Sequence, residues 1–248
     1  ILRNTKLEFN KISAIYIIMK IIDGKKIAKR IRTDLKNKIA KLEKKPSLAV
    51  ILVGNDRSSH LYVSLKKKAA KELGIEFFLY EFKKNIREVK SITLIKKLNQ
   101  DKTINAILVQ LPLPKKINAD HIIAAIDPAK DVDGFHPINQ KAIIRGKMNI
   151  VPVFPEAIIR LLKSVPKTKL GAAKEAVIIA NSKIFGEVMK AILGKEDLKG
   201  NYILAKDIKK EAEKIKKADI IITACGRAGM IKGEMITKGA IIIDGGIS

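Results

Sequence analysis

The apolar positions of the chain alternate between a helical and a strand-like period. From Lys25 to Lys44, Ile27, Ile31, Leu35, Ile39 and Leu42 recur at helical spacing, and Pro46 ends the pattern. Leu48 to Val53 is an unbroken apolar run of strand length, as expected of a parallel strand buried on both faces. Gly54-Asn55-Asp56 turns the chain, and Asp56 or Ser58 is expected to cap a helix that runs to about Leu73 with Gly74 as its stop. On that helix Leu61, Leu65 and Ala69 form an apolar stripe expected to pack on a sheet. Ser59, Tyr62 and Lys66 fall at i, i+3 and i+7 and share another face, with Tyr62 and Lys66 turned away from the core. Phe77 to Phe82 reads as a second strand, Ile86 to Leu98 as an amphipathic helix and Ile104 to Val109 as a third strand. Strands alternating with helices predict βαβ units and a parallel sheet.

The third strand runs into Gln110-Leu111-Pro112-Leu113-Pro114, where two prolines prevent both helix and ladder and fix a rigid loop. Gln110 thereby stands within reach of the Lys66 face. A short helix around Asp120 to Ile126 precedes Pro128 to Phe135, a loop with two carboxylates, Asp131 and Asp133, and a glycine. Met148 to Pro152 reads as a crossing between domains and Pro155 to Leu162 as a connecting helix. The α/β rhythm then restarts, with strands at Ala176 to Ala180, Tyr202 to Ala205, Ile220 to Ala224 and Ile241 to Asp244. Helices are expected at Ile184 to Leu193 and Ile208 to Ile215. This second unit has the pattern of a dinucleotide-binding sheet with an eroded glycine turn, A-N-S-K-I-F-G from Ala180 to Gly186. The amides opening the Ile184 helix suit a phosphate. Lys206, with no acidic residue before it after the next strand, favours NADP over NAD.

Composition changes this picture little. The 248 residues carry a formal charge of +25, which invites a nucleic-acid reading, but the basic residues are mostly Lys and are spread over every segment. No Arg-rich block or aromatic-interleaved basic patch accompanies them, so the charge reads as a field suited to small anions rather than to nucleic acid. A lone Cys225 fits a reducing, cytoplasmic setting. His60, His121 and His136 show no metal-ligand spacing, and no metal is expected. Ile12 to Ile18 is apolar but too short to span a bilayer, and residues 1–18 read as an extension upstream of a natural start at Met19.

Taken together, the segments resemble the bifunctional methylenetetrahydrofolate dehydrogenase/methenyltetrahydrofolate cyclohydrolase family. The resemblance rests on I-I-D-G-K-K-I-A at 21–28, V-G-N-D-R-S-S-H-L-Y-V-S-L-K at 53–66, I-L-V-Q-L-P-L-P at 107–114 and P-A-K-D-V-D-G-F-H-P at 128–137. It continues with A-D-I-I-I-T-A-C-G at 218–226 and G-A-I-I-I-D-G-G-I at 239–247.

The resemblance implies an α/β protein of two domains. Residues 19–147 would form a three-layer folate-binding catalytic domain with a parallel sheet, and residues 148–248 a Rossmann-type NADP-binding domain. It implies oxidation of methylenetetrahydrofolate with NADP and hydrolysis of the methenyl product to formyltetrahydrofolate, within one-carbon metabolism serving purine, methionine and histidine synthesis. By similarity Lys66 transfers the proton of hydrolysis, Gln110 holds Lys66, Tyr62 stacks on or orients the folate, and Asp133 binds its pterin end. Ser182, the amides around Ala180 and Asn181, and Ile247 would contact the cofactor. A homodimer is implied, and the basic field would suit a polyglutamate tail on the folate.

The chain departs from the family pattern in several places. Pro152-Val153-Phe154-Pro155 stands where P-C-T-P is usual, and Ala180-Asn181-Ser182 where G-R-S or G-A-S is usual. Val188 replaces a proline, and the family's C-terminal P-G-G-V-G-P-M-T segment is not in this sequence. The alternatives to the bifunctional reading are an impaired folate- or nucleotide-binding fragment, or a cyclohydrolase alone.

Overall fold

A computed structural model describes residues 20–148 and 150–246. The expected extension at 1–18 and the cofactor contact assigned to Ile247 lie outside these residues. In chain order the elements are α1 (Gly24–Ile39), β1 (Ser47–Val53), α2 (Arg57–Leu73), β2 (Glu76–Phe82), α3 (Glu88–Gln100), β3 (Ala106–Val109), α4 (Ala119–Ala124), α5 (Pro137–Ile144) and α6 (Val153–Lys163). There follow α7 (Lys167–Ala172), β4 (Glu175–Ala180), α8 (Lys183–Lys195), β5 (Lys199–Leu204), α9 (Ala212–Lys217), β6 (Ile220–Ala224) and β7 (Ile241–Asp244).

The strands form two parallel sheets, ordered β2-β1-β3 and β5-β4-β6-β7. Strands β1 and β4, inside their sheets, are apolar beyond their first residues, Ser47 and Glu175, because helices cover both faces. Ala49, Ile51 and Val53 of β1 pack with Ile95 and Leu98 of α3, while Val50 and Leu52 pack with Val63 of α2. In β4, Ala176 and Ile178 meet Met189 and Leu193 of α8 together with Ile158 and Leu162 of α6. Val177 and Ile179 meet Ile208 and Ile215 on the opposite side. Each such buried aliphatic side chain contributes about 1.5–3 kcal/mol, so these strands are the rigid ground from which the loops at their carboxyl ends project.

Helix α2 follows the sequence closely at its ends. The Asp56 carboxylate accepts from the Ser59 amide at 2.8 Å, and Gly74, at φ 79°, closes the helix in the left-handed region. Its packing face is another matter. The buried residues of α2 are Ser59, Val63 and Ala70, whereas Leu61 and Leu65 are 58% and 54% exposed. The stripe that meets the sheet runs through 59, 63, 66 and 70, so Lys66 lies on the packed side of the helix and not turned away from the core. The leucines misled because the stripe's polar members, Ser59 and Lys66, hide its period.

Other boundaries moved for local reasons. Helix α1 stops at Ile39 rather than Lys44. Leu42 is left half-exposed, and nothing packs there to oppose the extended bias of the residue before Pro46. The expected helix at 208–215 is a 3₁₀ turn (Ala205–Asp207) followed by α9. Ile208 and Ile215 are both buried, and their seven-residue spacing reads as two turns of one helix although a turn separates them. Strand β5 begins at Lys199, ahead of the expected Tyr202. Helices α5 and α7 carried no sequence expectation. The former starts on His136, whose Nδ1 accepts from the Ile138 amide, with Pro137 at the first helical position.

Helix α5 and the loop before it join the two sheets. Ile143 of α5 is fully buried in the core built on β4 and α8. Gly134 has φ 70°, and a Cβ there would stand 2.8 Å from the Pro152 Cα, so this loop and the crossing at Pro152 touch backbone to backbone. Gly134→Ala is therefore expected to destabilise the protein by about 2 kcal/mol or more, combining left-handed strain with that clash. Urea unfolding would show it as a lowered midpoint at constant slope; an unchanged midpoint would refute the close approach.

Candidate active site

Parallel sheets present their loops at the strands' carboxyl ends, and the chemistry of this protein gathers there. Gln110 directly follows β3 and donates its backbone amide to Ile51 of β1 at 2.9 Å, which fixes its position beside the sheet. Its side chain is 8% exposed. The Oε1 accepts from Lys66 Nζ at 2.8 Å, and the Nε2 donates to the Leu111 carbonyl at 2.6 Å. The second bond orients the amide so that its oxygen, not its nitrogen, faces the ammonium. Of the sequence candidates, Lys66 and Gln110 are thus in direct contact.

Asp133 comes from the loop beyond β3. That loop is drawn to the sheet edge by Ile107, whose amide donates to Lys130 O at 2.8 Å, with a bridge to Asp131. Asp131, 2% exposed, accepts from the amides of His136 at 2.8 Å and Phe135 at 3.3 Å and from Asn139 Nδ2 at 3.0 Å. This carboxylate is spent on holding the loop, which leaves Asp133 to face the cleft. Asp131 and Asn139 were not singled out from the sequence. Asp131 was visible as one of two carboxylates, but nothing in the spacing says which is structural.

A cleft of about 340 Å³ is lined by Lys66, Gln110, Leu111, Asp133, Phe135 and Phe154, among others. Burial pushes the Lys66 ammonium below the ordinary lysine range, and the charge of Asp133 works against that shift. Burial likewise pushes Asp133 above the ordinary carboxylate range; Lys66 opposes this and Asp131 adds to it. In both groups desolvation outweighs the partner's charge. Tyr62, 41% exposed, stands one turn before Lys66 outside the residues that line the cleft. Larger hollows exist elsewhere, one of about 660 Å³ along β5. Its lysines include Lys199 and Lys214, paired at the surface with Glu175 and Glu211. Chemistry rather than size selects the cleft.

At the end of β4, Ala180 is buried and can offer only its backbone. The Asn181 Nδ2 donates to Cys225 O at 3.2 Å, tying the ends of β4 and β6 together across the reversal of strand order. Ser182 caps α8, its Oγ accepting from the Phe185 amide at 3.3 Å, and the amides of Lys183 and Ile184 precede that capped position in the first turn. A Cβ at Gly186 would stand 2.6 Å from the Tyr202 ring, so helix and strand approach as a dinucleotide turn requires. The residues present therefore fit a dinucleotide phosphate at this helix terminus. Among the described residues no group of His, Cys, Asp and Glu could hold a metal ion, and no helix is long and apolar enough to cross a membrane.

Comparison with known proteins converges on the same division of labour. Residues 22–133 match the family model described as tetrahydrofolate dehydrogenase/cyclohydrolase, catalytic domain, and residues 152–248 match that family's NAD(P)-binding domain. The bifunctional protein FolD of Acetivibrio thermocellus is 40% identical over 233 residues, covering 92% of this chain and 80% of that protein. The crystal structure of FolD from Campylobacter jejuni superposes with a TM-score of 0.87 at 36% identity, covering 93% of this chain and 82% of the other. The FolD of Trypanosoma brucei, solved with NADP and an inhibitor, gives a TM-score of 0.83 at 30% identity over 92% of this chain and 78% of its own. With both halves matched in order and the Lys66–Gln110 pair in place, the chain belongs to the tetrahydrofolate dehydrogenase/cyclohydrolase family.

Proposed function

We propose that the protein oxidises methylenetetrahydrofolate to methenyltetrahydrofolate with NADP and hydrolyses the methenyl product to formyltetrahydrofolate, with Lys66 as the proton-transferring group. The single observation behind this assignment is the half-buried Lys66, bonded to Gln110 and facing Asp133 in one cleft. In hydrolysis a water oxygen adds to the methenyl carbon while the Lys66 amine takes the water's proton. The adduct collapses as one C–N bond breaks and its nitrogen is protonated, and one proton leaves to solvent. Burial makes the amine available nearer neutral pH than an exposed lysine would be. Gln110, itself fixed by Leu111, would hold the Lys66 Nζ in place at the cleft. Asp133, whose carboxyl burial pushes above the ordinary carboxylate range, would hold the pterin end.

NADP, when bound, supplies the hydride acceptor. Ser182 and the amides of the α8 terminus would hold its phosphates, with Ala180 and Asn181 shaping the turn. The protein's part in that step is alignment, since hydride transfer needs two carbons held in register and no proton relay. Tyr62, outside the cleft lining, would reach only a substrate that extends past its rim. We take residues 19–147 as the folate-binding unit and 148–248 as the cofactor unit. A homodimer and service to purine, methionine and histidine synthesis rest on the family resemblance. A polyglutamylated folate is supported by the charge of +25, and a cytoplasmic setting by the lone Cys225.

Lys66→Ala and Lys66→Arg are both expected to lower methenyl hydrolysis by about a hundredfold or more, because arginine keeps the charge and cannot surrender a proton. Loss of methenyltetrahydrofolate above the spontaneous rate is the readout. An active Lys66→Arg enzyme would reduce the residue to an electrostatic role and contradict the assignment.

A further inference from the structure

Phe154 stands at a junction that the mechanism above leaves unexplained. The side chain lies in the first turn of α6 and forms part of the wall of the Lys66 cleft. Its ring stacks on Phe185, in the first turn of α8, with centroids 5.5 Å apart and planes 23° from parallel. Its tip reaches the backbone after β7, where a Cβ built at Gly245 would stand 2.0 Å from Cζ. One ring thus touches the folate cleft, the helix that opens the cofactor turn and the carboxyl end of β7.

Strand order decides what that position means. In the sheet β5-β4-β6-β7 the strands are parallel and their order of succession reverses between β4 and β6, and a dinucleotide lies across the carboxyl ends at such a point. One half of the cofactor falls over β4 and β5 and the other over β6 and β7. The reactive ring belongs to the half nearer the Lys66 cleft, because hydride transfer brings its carbon to about 3–3.5 Å from the substrate carbon. The β7 side is the side Phe154 shares with that cleft. We propose that Phe154 gates this passage: seated between Phe185 and Gly245, its ring closes the nicotinamide end of the crevice, and it must swing out before NADP can reach the folate. The proposal rests on the placement of NADP given under Proposed function. A gate of this kind weakens apparent cofactor affinity by the fraction of molecules in which it is open, and it leaves the Lys66 side of the cleft accessible. The protein is thereby biased toward hydrolysis over hydride transfer.

The test is a fluorescence titration of the full chain with NADPH, using the parent, Phe154→Ala and Phe185→Ala, with melting temperatures recorded alongside. Phe154→Ala is expected to bind NADPH about fivefold tighter or more, and Phe185→Ala, which keeps the ring but removes its stacking partner, to tighten binding by less. On the same samples the ratio of methylenetetrahydrofolate oxidation to methenyl hydrolysis is expected to rise about tenfold in Phe154→Ala. Should the alanine variant not fold, Phe154→Leu, which keeps bulk but lacks the flat stacking surface, carries the same expectation. Binding that is unchanged, weaker or absent in a folded Phe154 variant overturns the gate. Gained binding in a variant of a parent that binds nothing supports it. The two readings fail separately, since a parent without Lys66-dependent hydrolysis contradicts the site assignment while the gate stands or falls on the NADPH titration.

Discussion

The site depends on one constraint, an ammonium placed where the fold would prefer a hydrocarbon. Lys66 falls between Val63 and Ala70 on the stripe of α2 that packs against the sheet, and partial loss of water there destabilises its charged form. Gln110 makes the position tolerable by supplying a fixed carbonyl oxygen. Asp133 supplies an opposing charge, but it is itself mostly removed from water and resists ionising for the same reason. Burial lowers the pKa of the Lys66 amine and raises that of the Asp133 carboxyl, and the charge of each opposes the shift of the other. A lowered pKa is what the role proposed for Lys66 needs, since an amine that is always protonated cannot serve as a base.

The rest of the architecture keeps the three side chains together. Gln110 is delivered by the end of a buried parallel strand, Lys66 by a helix packed on that sheet, and Asp133 by a loop whose other carboxylate, Asp131, is consumed by two amides and an asparagine. Backbone contact at Gly134 and Pro152, with Ile143 buried in the second core, sets the loop against the cofactor-binding sheet. The cleft is lined from both units, by Lys66, Gln110 and Asp133 on one side and by Val153, Phe154 and Ala157 on the other. The second sheet carries its own chemistry at an equivalent place, with α8 opening at the end of β4 beside Asn181, which ties β4 to β6.

Much of this was legible in the sequence, for physical reasons that differ by element. The buried strands were plain because a strand covered on both faces must be largely apolar: Leu48 to Val53 and Ala176 to Ala180 are so without interruption, and Ile220 to Ala224 is broken by Thr223 alone. The ends of α2 were plain because Asp56 and Gly74 are strong local signals. The face of α2 was not, because the stripe that packs contains a serine and a lysine while Leu61 and Leu65 point outward. In that respect Lys66 concealed its own environment. The contact of Lys66 with Gln110 was expected from the resemblance and is present in the structure. The contacts of Asp131, Asn139 and Phe154 could not be read, since each depends on what the fold brings near from distant segments.

The most direct test of the account is the proton affinity of Lys66 itself, followed by NMR at its side-chain carbon or nitrogen across a pH titration of the folded protein. The account requires a midpoint below the ordinary lysine value of 10.5. In Asp133→Asn the midpoint must fall further, because the one charge that favours the ammonium has been removed. A midpoint at or above the ordinary value, or one that rises in Asp133→Asn, would contradict the claim that burial governs this lysine.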